Sequence, residues 1–324
     1  MNILIEKAAV YVLDSLADAP LAATDVLPLT DETEQYLAAF AAKGFVSDEA
    51  RPCILQRDAC ILPILDTIES AFLQSCERLA DKWFAIMKDS PSIPAGDLVC
   101  LLLRIEGTPH FAAMKLNHKP GYLYLYENAG GRFSRCENML PATGKPDEAL
   151  YVELSREHAT TVLEKKYDID GKKAAYLARE FAGCKSGLSN KEKLEVICEA
   201  AVEVNRQFYG SLGVDEPEVA AAVCEEFKNA SGGVAAKEVC RRLYKDLPHA
   251  EEAFEKALAE HDLPFAEAVA ISAPAVRRLE KQSLRSGSGV EIKVPVSVYR
   301  DKEAVEFLKN DDGTTSLLIK NILL

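Results

Sequence analysis

PILDTIESAFLQSCERLADKWFAIMKDS, residues 63–90, is followed at residues 98–103 by LVCLLL. In the first stretch Leu65, Ile68, Phe72, Cys76, Leu79, Trp83 and Ile86 recur at steps of three and four. That spacing predicts a helix over 64–88 with one continuous apolar stripe. Pro63 suits the first turn, where no amide donor is needed, and Ser90-Pro91 closes the helix. The second stretch is apolar at every position, as a central strand with both faces covered is. A sheet containing such a strand needs a covering layer, and the stripe supplies one. The same stripe also suits a dimerisation helix, so a homodimer is the alternative reading of it.

Working outward, Ile3 to Leu13 reads as a strand rich in Ile, Val and Tyr. Asp31, with Glu34 three residues on, reads as a helix cap and its partner; Tyr36, Leu37 and Phe40 follow, and Gly44 is a natural C-terminal stop. His110 to His118 is a further strand. Tyr122-Leu123-Tyr124-Leu125-Tyr126 places three tyrosines on one face and two leucines on the other. A half-buried sheet face is the plainer reading of that row, and an aromatic platform for bases the alternative, with only Lys115 and Lys119 near it. Residues 128–147, rich in Gly, Pro and Asn, read as a loop. Leu150, Val152 and Leu154 then mark a strand with which residues 160–167 can pair as a hairpin.

After Gly171 the pattern becomes helical, over 172–183 with Ala175, Tyr176, Ala178 and Phe181. Ser189-Asn190-Lys191-Glu192 is a capping box opening a helix with Leu194, Ile197, Cys198, Ala201 and Phe208 on one side. Further helices are expected from Asp215-Pro217, with Val219, Val223 and Phe227, and over 236–245 and 250–261. Strands return at Val290, Ile292, Val294 and at Leu317, Ile319. The segregation of strands and helices reads as α+β, not a doubly wound repeat. The expected architecture is a mixed sheet with a long covering helix in a domain over 1–170. A helical domain with a C-terminal β-hairpin or meander follows over 171–324.

With 324 residues, 48% of them hydrophobic and 27% charged, the chain can bury a substantial core. Nine cysteines are scattered, none spaced C-x-x-C, which favours a reduced compartment over a disulfide framework. The start of the chain lacks the basic and long apolar regions of a signal peptide, and no run is long enough to span a membrane, so a cytoplasmic protein is expected.

Charge is the informative asymmetry. The formal net charge is -13, and residues 1–60 hold four cations against ten anions. Between Glu164 and Lys193 the balance reverses, with eight cations against five anions. Lys165 and Lys166 lie on one side of an expected turn at Asp168–Gly171, Lys172 and Lys173 on the other, with Arg179 and Lys185 beyond. Further clusters are Lys237, Arg241, Arg242 and Lys245, and Arg277, Arg278, Lys281 and Arg285. Most charge runs are solvated faces, whereas a polyanion binder needs cations gathered on one side.

No catalytic or cofactor motif appears. Asp168-Ile169-Asp170-Gly171 begins like a calcium loop, but Arg179 stands where the closing Glu belongs. The five histidines show no ligand spacing. Ser286-Gly287-Ser288-Gly289 lacks a phosphate-loop lysine and leads into a strand.

Four segments are distinctive together: Glu164 to Lys173, Phe181-Ala182-Gly183-Cys184, Ser286 to Pro295, and Asp312 to Ile322. In order and spacing, with the upstream helix and strands, the chain resembles from end to end the bacterial nucleoid-associated proteins of the NdpA/YejK type. The resemblance implies a cytoplasmic protein found with the nucleoid and double-stranded DNA, and it brings no catalytic residues. The leading reading is therefore a non-enzymatic chromosome-organising protein, without cofactor or metal. Its cations Lys165, Lys166, Lys172, Lys173, Arg179, Lys185, Arg241, Arg242, Arg277, Arg278, Lys281 and Arg285 would meet phosphates without reading sequence. The alternatives are an adaptor recruited to nucleoid proteins through its acidic surface and an uncharacterised nucleic-acid enzyme.

Overall fold

Eight strands from the first part of the chain lie side by side in one sheet, and every pairing in it is antiparallel. In this computed structural model the described residues are 1–22, 24–127, 130–154, 158–169, 171–209, 223, 225–226, 233–245, 247–272, 281–285, 289–295, 298, 301, 303–310 and 315–321. They fall into two units, Met1–Ser189 and Asn190–Leu324.

The first unit begins with β1 (Ile3–Leu13), β2 (Leu21–Ala22), α1 (Asp31–Phe45), β3 (Arg51–Leu55), α2 (Leu62–Leu65) and α3 (Phe72–Asp89). Next come β4 (Gly96–Ile105), β5 (Thr108–Asn117), β6 (Lys119–Glu127), β7 (Gly130–Met139), β8 (Glu148–Glu153) and β9 (Thr160–Leu163). It closes with β10 (Tyr167–Ile169), β11 (Lys172–Ala174), a π-helical turn over Leu177–Phe181, and β12 (Cys184–Ser186). The sheet runs β12-β3-β9-β8-β5-β4-β1-β2, while β6–β7 and β10–β11 are separate hairpins.

Strand β4 shows why its sequence is apolar throughout. Successive side chains point to opposite faces. Leu98, Cys100 and Leu102 enter a core with Phe72, Cys76, Leu79 and Trp83 of α3. Val99, Leu101, Leu103 and Ile105 enter a second core with Leu37, Phe40 and Ala41 of α1. The α+β class holds, and the stripe of α3 covers the sheet of its own unit; the sheet expected to be mixed is antiparallel in all its pairings.

Local differences have local causes. The helix expected over 64–88 is two helices, because Thr67 turns its hydroxyl to the Ile64 carbonyl (3.1 Å) and to Ser75 (3.0 Å), competing with the helical ladder. Ile68 stays fully buried in the intervening turn, so the apolar stripe survives the break. Thr30, not Asp31, caps α1: its hydroxyl accepts from the Thr33 amide at 3.2 Å. Gly44 does not stop that helix, which continues to Phe45; a Cβ there would collide with the Tyr151 hydroxyl and lie 2.8 Å from Pro146 Cγ.

Residues 130–139, expected as loop, form β7 because they pair along the length of β6. Residues 172–183, expected as helix, form β11 and the π-helical turn. There Tyr176, Leu177 and Phe181 are buried against α3, and Phe181 lies 4.7 Å from the Trp83 ring. Strand β12 extends the sheet beside β3. Both attachments place residues 171–189 in the first unit, so the unit boundary follows Ser189 rather than residue 170.

The second unit opens with α4 (Asn190–Tyr209) directly after the expected cap Ser189. It continues through β13 (Val234–Ala235), α5 (Ala236–Leu243), α6 (Pro248–Ala259) and β14 (Ala268–Val269). Ile197, Ala201, Val239, Cys240, Phe254 and Leu258 are buried, and Tyr244 donates its hydroxyl to the Ala201 carbonyl at 2.6 Å. Hairpins β15 (Lys281–Arg285) with β16 (Glu291–Pro295) and β17 (Val305–Lys309) with β18 (Thr315–Ile319) follow. The helix expected from Asp215-Pro217 lies outside the described residues save for Val223 and its near neighbours. Among the described residues no helix is long and apolar enough to cross a membrane.

Candidate nucleic-acid interface

The lysine pairs occupy a short hairpin and its approach. Tyr167, Asp168 and Ile169 of β10 pair with Ala174, Lys173 and Lys172 of β11, and Gly171 turns the chain at φ 76°. This is the turn the sequence indicated at Asp168–Gly171. Lys166, Lys172 and Lys173 are exposed and form no ion pair among the described residues. Lys165, half exposed, is paired with Asp147. Arg179 is exposed on the π-helical turn, and Lys185 is exposed on the edge strand β12. Six of the expected residues therefore belong to one unit.

What fixes this hairpin is a buried polar network that the sequence did not announce. Glu148 at the start of β8 is fully buried, and its Oε2 accepts from Tyr176 at 2.9 Å and Tyr167 at 3.2 Å. Those two tyrosines stand on either side of the hairpin, so one carboxylate ties down both of its ends. Tyr176 in turn accepts from Trp83 Nε1 at 2.8 Å, linking the hairpin to α3. Lys115, also fully buried, places Nζ 3.9 Å from Glu148 and donates to the Pro94 carbonyl at 2.7 Å and to Asn117. It is thus no cation for the tyrosine row. Burial drives the Glu148 pKa up to about 7, against the pull of Lys115 and the tyrosine hydrogen bonds. Burial likewise drives Lys115 down to about 8, opposed by Glu148 and Asp147. The only sequence signal was a lysine at a core-facing position of an otherwise apolar strand.

In the second unit Arg241 is exposed on α5, whereas Arg242 is engaged by Glu225 and Glu226, the latter at 2.8 Å. Lys281 and Arg285 are placed by backbone on β15, their side chains outside the described residues, and Arg277 and Arg278 lie wholly outside them.

The β6–β7 hairpin departs from expectation most. Tyr122, Tyr124 and Tyr126 are 67%, 58% and 80% exposed, so the row is not a half-buried sheet face. Its partner strand adds Phe133, which is 74% exposed and meets Tyr124 edge-on at 5.3 Å. Sequence reading missed Phe133 because Gly130-Gly131 and the polar residues after them resemble a loop.

Two histidines elsewhere are locally engaged. His118 contacts Asp97 at 2.7 Å and His110 the Thr108 carbonyl at 2.9 Å. An open cleft beside β1 and the start of α3 is lined by Glu6, Lys7, Ser70 and Gln74, and Glu6 is already held by Arg104 at 2.7 Å. Among the described residues no three His, Cys, Asp or Glu side chains gather as a metal site.

No curated protein matches the chain significantly. A family model does, described as nucleoid-associated protein YejK, over residues 12–323. That span takes in both units, the lysine hairpin and the aromatic hairpin, and the chain belongs to the nucleoid-associated protein YejK family.

Proposed function

We propose that the protein is a non-enzymatic nucleoid component that binds the phosphate backbone of double-stranded DNA through its lysine hairpin, without reading sequence. The observation that carries this reading is three exposed lysines, Lys166, Lys172 and Lys173, that form no ion pair among the described residues and lie on, or directly before, a hairpin anchored at both ends in a chain of net charge -13. Lys165, Arg179 and Lys185 lie in the same unit and extend the set; Arg241, Arg277, Arg278, Lys281 and Arg285 are proposed as secondary contacts, and Arg242 as one that must first exchange its glutamates for phosphate. Phosphate contacts release counterions, so affinity falls steeply with salt. The acidic remainder of the chain adds repulsion and keeps binding weak at physiological salt.

The test is the salt dependence of affinity for a duplex, with Lys166, Lys172 and Lys173 changed together to Gln. Each lost phosphate contact flattens the log–log slope by about 0.9, so up to about 3 units are expected for the three. Sequence preference should not move. Equal affinity and slope for the folded variant would remove the hairpin from the interface. No duplex binding by the wild type at low salt would favour recruitment by a protein partner through the acidic surface.

A further inference from the structure

The β6–β7 hairpin presents one face that the rest of its own unit leaves exposed. Cross-strand pairing puts Tyr122 opposite Arg135, Tyr124 opposite Phe133 and Tyr126 opposite Gly131, all on that face. A Cβ on Gly131 would fall within the Tyr124 ring, with Cε1 2.7 Å away. The bare glycine therefore leaves room for this ring over the strand, where Tyr124 stays largely exposed. Alternate residues of a strand recur at roughly 6.8 Å, so the tyrosines form a spaced row rather than a closed aromatic cluster. Cross-strand packing accounts for part of Tyr124 and of Phe133; it does not account for Tyr126, the most exposed aromatic of the row.

Charge selects the occupant. Among the described residues the face has one acidic side chain, Glu137, and Arg135 neutralises it at 2.8 Å. At the foot of the hairpin Asp147 accepts from the Asn117 amide at 3.0 Å and also pairs with Lys165. The lysine hairpin is thereby joined to the root of the aromatic one. An aromatic row whose root is tied to the lysine hairpin suits a chain of unpaired bases with its phosphates running on towards the lysines, because every base has a π-face and no duplex offers one.

We propose that the Tyr122, Tyr124, Tyr126 and Phe133 face is a stacking platform for single-stranded nucleic acid. The aromatic contacts go beyond duplex phosphate binding; the accompanying phosphate contacts rest on the reading of the lysine hairpin given above.

The experiment titrates the full chain with oligo-dT, oligo-rU and a duplex, at fixed low salt, for the wild type and for Tyr122→Leu, Tyr124→Leu and Tyr126→Leu combined. Leucine keeps an apolar strand residue and removes the π-face; far-ultraviolet circular dichroism and urea melts check the fold. The combined variant should lose about a hundredfold or more in oligonucleotide affinity, at roughly fivefold or more per ring, and keep its duplex affinity. Base protons of bound oligo-dT should shift upfield in wild type, a ring-current signature that weakening of the fold cannot mimic. A preference for oligo-dT or oligo-rU would assign the ligand to DNA or RNA; either supports the platform. Unchanged oligonucleotide affinity in the combined variant, or no upfield shift with either probe, overturns it. So does loss of self-association in sedimentation with oligonucleotide binding unmoved, which would assign the face to a second copy of the chain. If the Lys→Gln variant keeps its duplex affinity and the Tyr→Leu variant loses the oligonucleotide, the phosphate reading fails alone.

Discussion

The hydroxyl of Tyr176 donates to Oε2 of Glu148 across 2.9 Å, in a site from which solvent is excluded on both sides. Tyr167 donates to the same oxygen, so the lysine hairpin hangs from a carboxylate whose ionisation the fold resists. Lys115, Asp147, Tyr167 and Tyr176 are the titratable groups that face it.

This arrangement has a pH signature. Burial raises Glu148 from the ordinary 4.5 to about 7, so between these values the folded chain holds a proton that the unfolded chain has lost. Stability from this group is therefore greatest below about pH 4.5 and is lost as pH rises through about 7. Urea melts should show wild type losing roughly 1–3 kcal/mol relative to Glu148→Gln between about pH 5 and 7. Parallel profiles for the two proteins would refute the assignment. Lys115 acts on the alkaline side with the opposite slope, gaining stability as pH rises from about 8 towards 10.5.

Phe72 is the first residue of α3 and is 5% exposed within the core beneath the sheet. Phe72→Ala should cost about 3–5 kcal/mol, because ring contacts are lost and the cavity closes only partly. A near-neutral urea midpoint would contradict the packing of α3 on this sheet.

Gly44 lies inside α1, where alanine normally favours the helix by about 0.5–1 kcal/mol. Here the added methyl meets the Tyr151 hydroxyl and the Pro146 ring, neither of which yields freely in a filled core. Gly44→Ala should therefore destabilise by about 1–3 kcal/mol. A rise in melting temperature would show that the contact relaxes.

Thr30 caps α1 through the Thr33 amide. Thr30→Ala should cost about 1 kcal/mol, whereas Asp31→Asn should lose only a few tenths, through the helix dipole. The reverse ranking in thermal melts would restore Asp31 as the cap.

The chain's order of residues determined the elements whose reasons are local. The period of Leu65 to Ile86, the unbroken apolar run of β4, the helix start after Ser189 and the turn at Asp168–Gly171 follow from side-chain spacing and backbone preference alone. The α+β class follows from their segregation, and the basic surplus of residues 164–193 was countable without coordinates. Tertiary structure decided what depends on partners distant in sequence. Residues 130–139 are a strand only because β6 supplies the pairing that their own composition discourages. Tyr122, Tyr124 and Tyr126 alternate as a half-buried strand would, but exposure depends on whether another layer arrives, which no local pattern encodes. Gly44 looked like a helix stop and is instead a space for Tyr151, a residue more than a hundred positions away. In sequence Lys115 reads as a cation near the tyrosine row, and only the fold brings Glu148, Asn117 and the Pro94 carbonyl together to make its burial tolerable.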